Sequence, residues 1–129
     1  MGHSYCHIWI HLILVTKHRK KFINREIEKE IYQFLTSKLE ELKCDLEAIN
    51  GLEDHVHILF KQNKQLSIAQ IAKQLKGGAS FFLNSSFKLE EKFQWQNGYS
   101  AFSVSYNDRL RIKKYIQNQK KNCSHQPRV

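Results

Sequence analysis

Two histidines two residues apart, in the stretch Glu53-Asp54-His55-Val56-His57-Ile58-Leu59-Phe60, are the first side chains here whose spacing suits chemistry. Val56, Ile58 and Phe60 are apolar at a period of two. This predicts a strand, and a strand sends alternate side chains to opposite faces. Val56, Ile58 and Phe60 then point into a core, and His55, His57 and Leu59 share the other face. Two neutral imidazoles on one sheet face can chelate a divalent cation. The same spacing also describes two surface histidines on a half-buried strand. Far along the chain, Tyr115 and Gln119 stand four apart in a stretch that reads as a helix opened by Asn107-Asp108. Residues four apart share a helix face. A phenol able to act as a nucleophile would sit beside an amide oxygen able to act as a third ligand. The plainer reading makes Tyr115 a half-buried amphipathic residue and Gln119 a solvated one.

The elements that must position these residues follow from the apolar pattern. Residues 5–16 read as a first strand, with Cys6, Ile8, Ile10, Leu12 and Leu14 on one face and Tyr5, His7, Trp9, His11 and Ile13 on the other. The second face could stack bases, touch a metal site or lie under another element. Lys17-His18-Arg19-Lys20-Lys21 is a basic cluster suited to phosphate, or a solvated loop. Asn24 can cap a helix with Glu26 and Glu28 in its first turn, and Ile27, Ile31, Phe34, Leu35 and Leu42 recur at core spacing. Residues 46–50 form a short strand that turns at Asn50-Gly51 into the histidine strand. Ser67 and Gln70 make a capping box for a helix that buries Ile68, Ile71, Leu75 and Phe82, with Lys73 and Lys76 outward. Gly77-Gly78 inside that helix costs about 1 kcal/mol per glycine relative to alanine, which implies a close backbone approach or a break. Residues 84–97 read as a loop docked by Trp95, and 98–105 as a last strand. The order βαββαβ with right-handed crossovers predicts an α+β, ferredoxin-like sandwich with an added C-terminal helix carrying Tyr115. The first and third strands are then neighbours, and His11 falls beside His55 and His57 on an uncovered sheet face. We expect one domain over 1–122 and a frayed tail over 123–129.

The chain has 129 residues and a formal charge of +9, which suits one domain and a polyanionic partner. It has no apolar run of about twenty residues and a short polar start, so neither a membrane span nor a signal peptide is expected. Three cysteines without close pairing suit reduced thiols and a cytoplasmic setting.

Several segments carry a family resemblance. His55-Val56-His57 resembles the His-hydrophobic-His motif of the HUH endonuclease superfamily. Tyr115-Ile116-Gln117-Asn118-Gln119 resembles the tyrosine segment of its single-tyrosine transposases, of the small IS-two-hundred-like insertion-sequence kind. Similar pieces are 11–17, 53–58, 75–80 and 95–105, and the resemblance runs from about His7 to Lys121. It implies a single-stranded DNA endonuclease and strand-transferase in which His55, His57 and Gln119 hold one Mg²⁺ or Mn²⁺. Tyr115 would attack the scissile phosphorus, giving a 5′-phosphotyrosine and a free 3′-OH. A phenol ordinarily ionises near pH 10, so it would need activation by the ion or by neighbours. Bond energy is kept in the adduct, so no nucleotide cofactor is implied. The expected partners are single-stranded DNA hairpins and a second copy, in a homodimer where Tyr115 and Gln119 serve the other subunit's histidines in trans. His11, Lys17, Arg19, Lys20 and Lys76 are the expected DNA contacts. Related chains often continue past the tyrosine helix, a departure from the pattern that leaves the motif residues in place.

Three rivals remain. One is a non-catalytic nucleic-acid-binding domain that uses the open sheet as a stacking platform. A histidine-triad nucleotide hydrolase would need a third histidine where Leu59 stands. A domesticated repeat-associated tyrosine transposase would share the chemistry.

Overall fold

A computed structural model describes residues 7–121. Strand β1 (Trp9–Val15) sends Ile10, Leu12 and Leu14 to one side and Trp9, His11 and Ile13 to the other. Ile8, expected inside the strand on the face of Ile10, lies before it and is 46% exposed. Cys6 and Cys123 fall outside the described residues; Cys44 is a buried free thiol. A single 3-10 turn (Lys17–Arg19) leads to helix α1 (Arg25–Glu41). Its cap is the one expected: the Asn24 side chain accepts from the Ile27 amide at 2.9 Å. Ile27, Ile31, Leu35 and Leu39 are buried, while Phe34 and Leu42 pack at the core's edge.

Strands β2 (Asp45–Leu52) and β3 (His55–Lys61) form a hairpin whose last pair is Leu52 with His55. The turn is therefore Glu53-Asp54, not Asn50-Gly51. Gly51 stays in the strand opposite Val56, where a Cβ would meet the His55 carbonyl oxygen at 2.1 Å. Its glycine is a requirement of close strand approach rather than of a turn. Asn50 is occupied elsewhere, as described below.

Helix α2 (Ile68–Ser86) opens on the capping box of Ser67 and Gln70 and runs unbroken through both glycines. At Gly78 a Cβ would come 2.7 Å from the Phe34 ring, so α1 and α2 touch there. At Gly77 the space is open, and nothing in the structure explains that glycine. Strand β4 (Ser100–Val104) pairs with β1, and the antiparallel sheet has the order β2-β3-β1-β4. This is the expected ferredoxin-like arrangement, with α1 and α2 over one face. No described helix is long and apolar enough to cross a membrane.

The other face is not bare. Helix α3 (Arg109–Gln117) lies over it, and Ile116 with Ile112 joins Trp9, Ala48, Leu59 and Val104 in a second small core. Ile112 and Ile116 are four apart and form a stripe on α3 facing the sheet. The helix is entered through a 3-10 turn (Tyr106–Asp108) capped by Ser105, whose hydroxyl accepts from the Asp108 amide at 3.1 Å. Asp108 itself makes no side-chain cap, contrary to expectation.

Candidate active site

The covered face gathers the chemistry-bearing residues. His55 and His57 lie side by side on β3, ring centroids 5.0 Å apart and both buried. His55 Nδ1 is 2.7 Å from Asp54 Oδ1. A carboxylate accepts only, so His55 donates its Nδ1 proton to Asp54. Burial alone would raise the Asp54 carboxyl. The hydrogen bond and charge of His55, with the charge of Arg19, outweigh it and hold that carboxyl below its usual range.

His57 Nδ1 is 2.8 Å from His11 Nε2, reached from β1 across the sheet. Burial lowers His11 to about 4. Burial, helped by the charges that His11 and His55 would carry, lowers His57 to about 3. Both are neutral at pH 7, the state that can share one proton between them and the state that ligates metals. His57 Nε2 is buried and without a partner.

Gln119 does not lie on α3, which ends at Gln117; it sits in the turn just beyond, buried. Its Oε1 is 3.4 Å from His55 Nε2, longer than a normal hydrogen bond. In the neutral, Nδ1-protonated form of His55 the two atoms face each other as acceptors, a pairing that a cation between them would relieve. Tyr115 is 44% exposed, and its ring meets His57 edge-on at 5.8 Å and His11 at 6.4 Å. The four expected residues Tyr115, His55, His57 and Gln119 thus come together within one chain. Among the described residues, no three His, Cys, Asp or Glu side chains converge as metal ligands. The donor set that fits is two imidazoles and an amide: uncharged, and ending in a buried nitrogen without a partner. It would leave an ion's charge available to a phosphate.

The family-model match for an IS200-like transposase spans residues 4–119. The chain belongs to the IS200-like transposases. It is 31% identical over 122 residues to the ISDra2 transposase TnpA of Deinococcus radiodurans, covering 84% of this chain and 81% of that one. A solved structure assigned as a transposase from Deinococcus radiodurans R1 superposes with a TM-score of 0.73 at 28% identity, over 92% of this chain and 96% of that one. A REP-associated tyrosine transposase, solved with a REP hairpin, shares the fold with a TM-score of 0.65 at 12% identity, over 95% and 74% of the two chains.

The basic residues expected at DNA are each engaged within this transposase. Lys17 Nζ donates to Gln94 Oε1 at 3.1 Å, and Lys20 pairs with Glu91. Arg19 Nε donates to Asp54 Oδ2 at 3.2 Å, and Lys76 Nζ donates to the carbonyls of Gln96 and Gly98 at 2.8 and 2.6 Å. Lys76 thus fastens α2 to the segment before β4, and burial lowers its pKa. His11, expected at DNA, is buried against His57.

Sequence reasoning passed over Asp54, Asn50 and Lys120. Asp54 had a signal, a carboxylate directly before a candidate ligand. Asn50 donates to the carbonyls of Ile116 and Gln117 at the end of α3, at 3.0 and 3.1 Å. Lys120 donates to Asn50 Oδ1 at 2.6 Å and to the Gly51 carbonyl at 3.0 Å. Contacts of this kind join residues about seventy apart and leave no local pattern.

Proposed function

We propose that this transposase is a single-stranded DNA endonuclease and strand-transferase acting at hairpin-marked element ends. Tyr115 is its nucleophile, and His55, His57 and Gln119 are the ligands of one Mg²⁺ or Mn²⁺. The observation that supports this most is the half-exposed Tyr115 ring set edge-on to His57, whose Nε2 is buried without a partner. When bound, the ion supplies charge that polarises and orients the scissile phosphate. The chain does the rest. Tyr115 Oη bonds to phosphorus and gives up its proton, and the P–O3′ bond breaks as the 3′ oxygen takes one. A 3′-OH later reverses the exchange on the 5′-phosphotyrosine, so no nucleotide cofactor is needed. The +9 charge suits a nucleic-acid partner, and one structural neighbour was solved with a REP hairpin.

The non-catalytic rival keeps only part of its platform, because α3 packs over Trp9, Ala48 and Leu59 and leaves Phe102 of β4 as an exposed aromatic on that face. The deciding experiment incubates the chain with single-stranded hairpin DNA from element ends and Mn²⁺. A covalent protein–DNA band on a denaturing gel, lost with EDTA, is expected. A folded protein that binds hairpins and never forms the band would overturn the reading.

The homodimer with sites shared in trans belongs to the same proposal. Within one chain Tyr115 and Gln119 already reach the imidazoles. Exchange would require α3 to release the Ile112 and Ile116 packing and the Asn50 bonds. Mixing Tyr115→Phe with His57→Ala subunits reads this out: recovered cleavage means the helices are exchanged, and no recovery means each site is built from one chain.

A further inference from the structure

We propose that Asp54 and His11 are the positioning residues of this site, each holding one imidazole in the tautomer that offers Nε2 to the ion. The inference rests on the reading of His55 and His57 as metal ligands.

A neutral imidazole has one N–H and one lone pair, and the partner on one nitrogen decides which is which. Asp54 fixes His55 as an Nδ1 donor at 2.7 Å. Asp54 is itself fixed from several sides. Arg19 Nε donates to its second oxygen at 3.2 Å. Its backbone carbonyl accepts from Thr16 N at 2.9 Å and from Thr16 Oγ1 at 3.2 Å, and Thr16 is buried. The Glu53 carbonyl accepts from Ile23 N at 2.9 Å. The segment bringing Arg19 to Asp54 holds two non-glycine residues in the left-handed region, His18 at φ 57 and Arg19 at φ 53. Such backbone persists where its surroundings over-determine it. Arg19 also offsets the Asp54 charge, so the outer partners add little net charge next to the donors.

His57 is held differently. The β1–β3 register pairs Ile13 with His57, so His11 reaches it diagonally from the next position on the same face. The 2.8 Å contact between His11 Nε2 and His57 Nδ1 needs one proton on one of the two nitrogens. A proton on His57 Nε2 would leave a buried N–H without an acceptor, since that atom has no partner. With the proton on His57 Nδ1, donating to His11, the buried Nε2 is a lone pair, and the Tyr115 ring lies 5.8 Å from the His57 ring.

The test uses the full chain without DNA. In metal-free protein, long-range ¹H–¹⁵N spectra of the imidazoles should show His55 and His57 both protonated on Nδ1 and bare on Nε2. Calorimetric titration with Mn²⁺ should show Asp54→Ala and His11→Ala each weakening binding by about 10–100-fold. Asp54→Asn and His11→Gln keep an oxygen acceptor and should recover most of it, with thermal melts confirming the fold. A wild-type His57 protonated on Nε2 overturns the proposal, and the spectrum needs no variant to fold. Mn²⁺ affinity unchanged in both alanine variants overturns it too. If instead His57→Ala binds Mn²⁺ as tightly as wild type, the metal reading fails first and this inference with it.

Discussion

The side-chain amide of Asn50 donates to the carbonyl oxygen of Ile116 at 3.0 Å, joining the middle of β2 to the last turn of the tyrosine helix. The same nitrogen reaches the Gln117 carbonyl at 3.1 Å, and the Ile116 carbonyl also accepts from Gln119 N at 3.1 Å, so Asn50 adds a donor where the helix ends. Lys120 Nζ closes the arrangement on Asn50 Oδ1 and pairs with Glu28 at 3.0 Å. Asn50→Ala should cost about 0.5–1.5 kcal/mol, the net worth of the bonds it removes, because the Ile116 carbonyl keeps Gln119 N as a donor and the bond to the Gln117 carbonyl is exposed. Hydrogen exchange should rise in 109–119 and stay unchanged in α1 and α2. Uniform loss of protection would mean Asn50 supports the whole fold rather than the docking of α3.

Tyr115→Phe keeps the ring that meets His57 and His11 and removes only the hydroxyl. The side chain is half exposed, so stability should stay within about 0.5 kcal/mol of wild type. The covalent DNA adduct should disappear while hairpin binding persists. An adduct surviving in Tyr115→Phe would place the nucleophile elsewhere.

These two residues mark how far the sequence could be read. Tyr115 was visible because its chemistry and its segment are local. The βαββαβ order was visible because strand and helix periods differ, and the caps at Asn24 and Ser67 are short-range signals. What escaped was non-local. Ile112 and Ile116 form an apolar pair on the same helix as Tyr115, yet nothing nearby says which surface they cover. The sheet face was consequently expected to be open, with His11 beside His55 and His57 but accessible to DNA, whereas it is buried against His57. Asn50-Gly51 has the composition of a turn, but the hairpin closes at Leu52 and His55, because Asn50 is claimed by α3.

The paired glycines of α2 should respond in opposite ways. Gly77→Ala meets open space and should stabilise by about 0.5–1 kcal/mol through helix propensity. Gly78→Ala gains the same propensity but sets a methyl 2.7 Å from Phe34, whose ring is stacked on Phe82 at 5.4 Å. Overpacking of this kind costs about 1–3 kcal/mol. Gly78→Ala should therefore melt below Gly77→Ala in the same buffer. Equal melting temperatures would mean that α1 and α2 separate at this point without cost.

Acid should weaken the metal-free fold through His11 and His57. Burial holds His11 down to about 4; burial, with His11 and His55 nearby, holds His57 down to about 3. A free histidine titrates near 6.5, so the unfolded chain takes up these protons first as the pH falls. Stability from the two neutral rings is fully present above about 6.5. It declines as the pH drops towards 4 for His11 and towards 3 for His57. The slope is at most about 1.4 kcal/mol per pH unit for each ring. Urea midpoints measured in EDTA should fall from pH 7 to pH 5. His11→Gln, which removes one of the two titrating rings, should fall less steeply over the same range. Parallel curves for wild type and His11→Gln would mean that His11 is solvated enough to charge inside the fold. The contact with His57 could not then be the neutral, single-proton bond that its 2.8 Å length and burial describe.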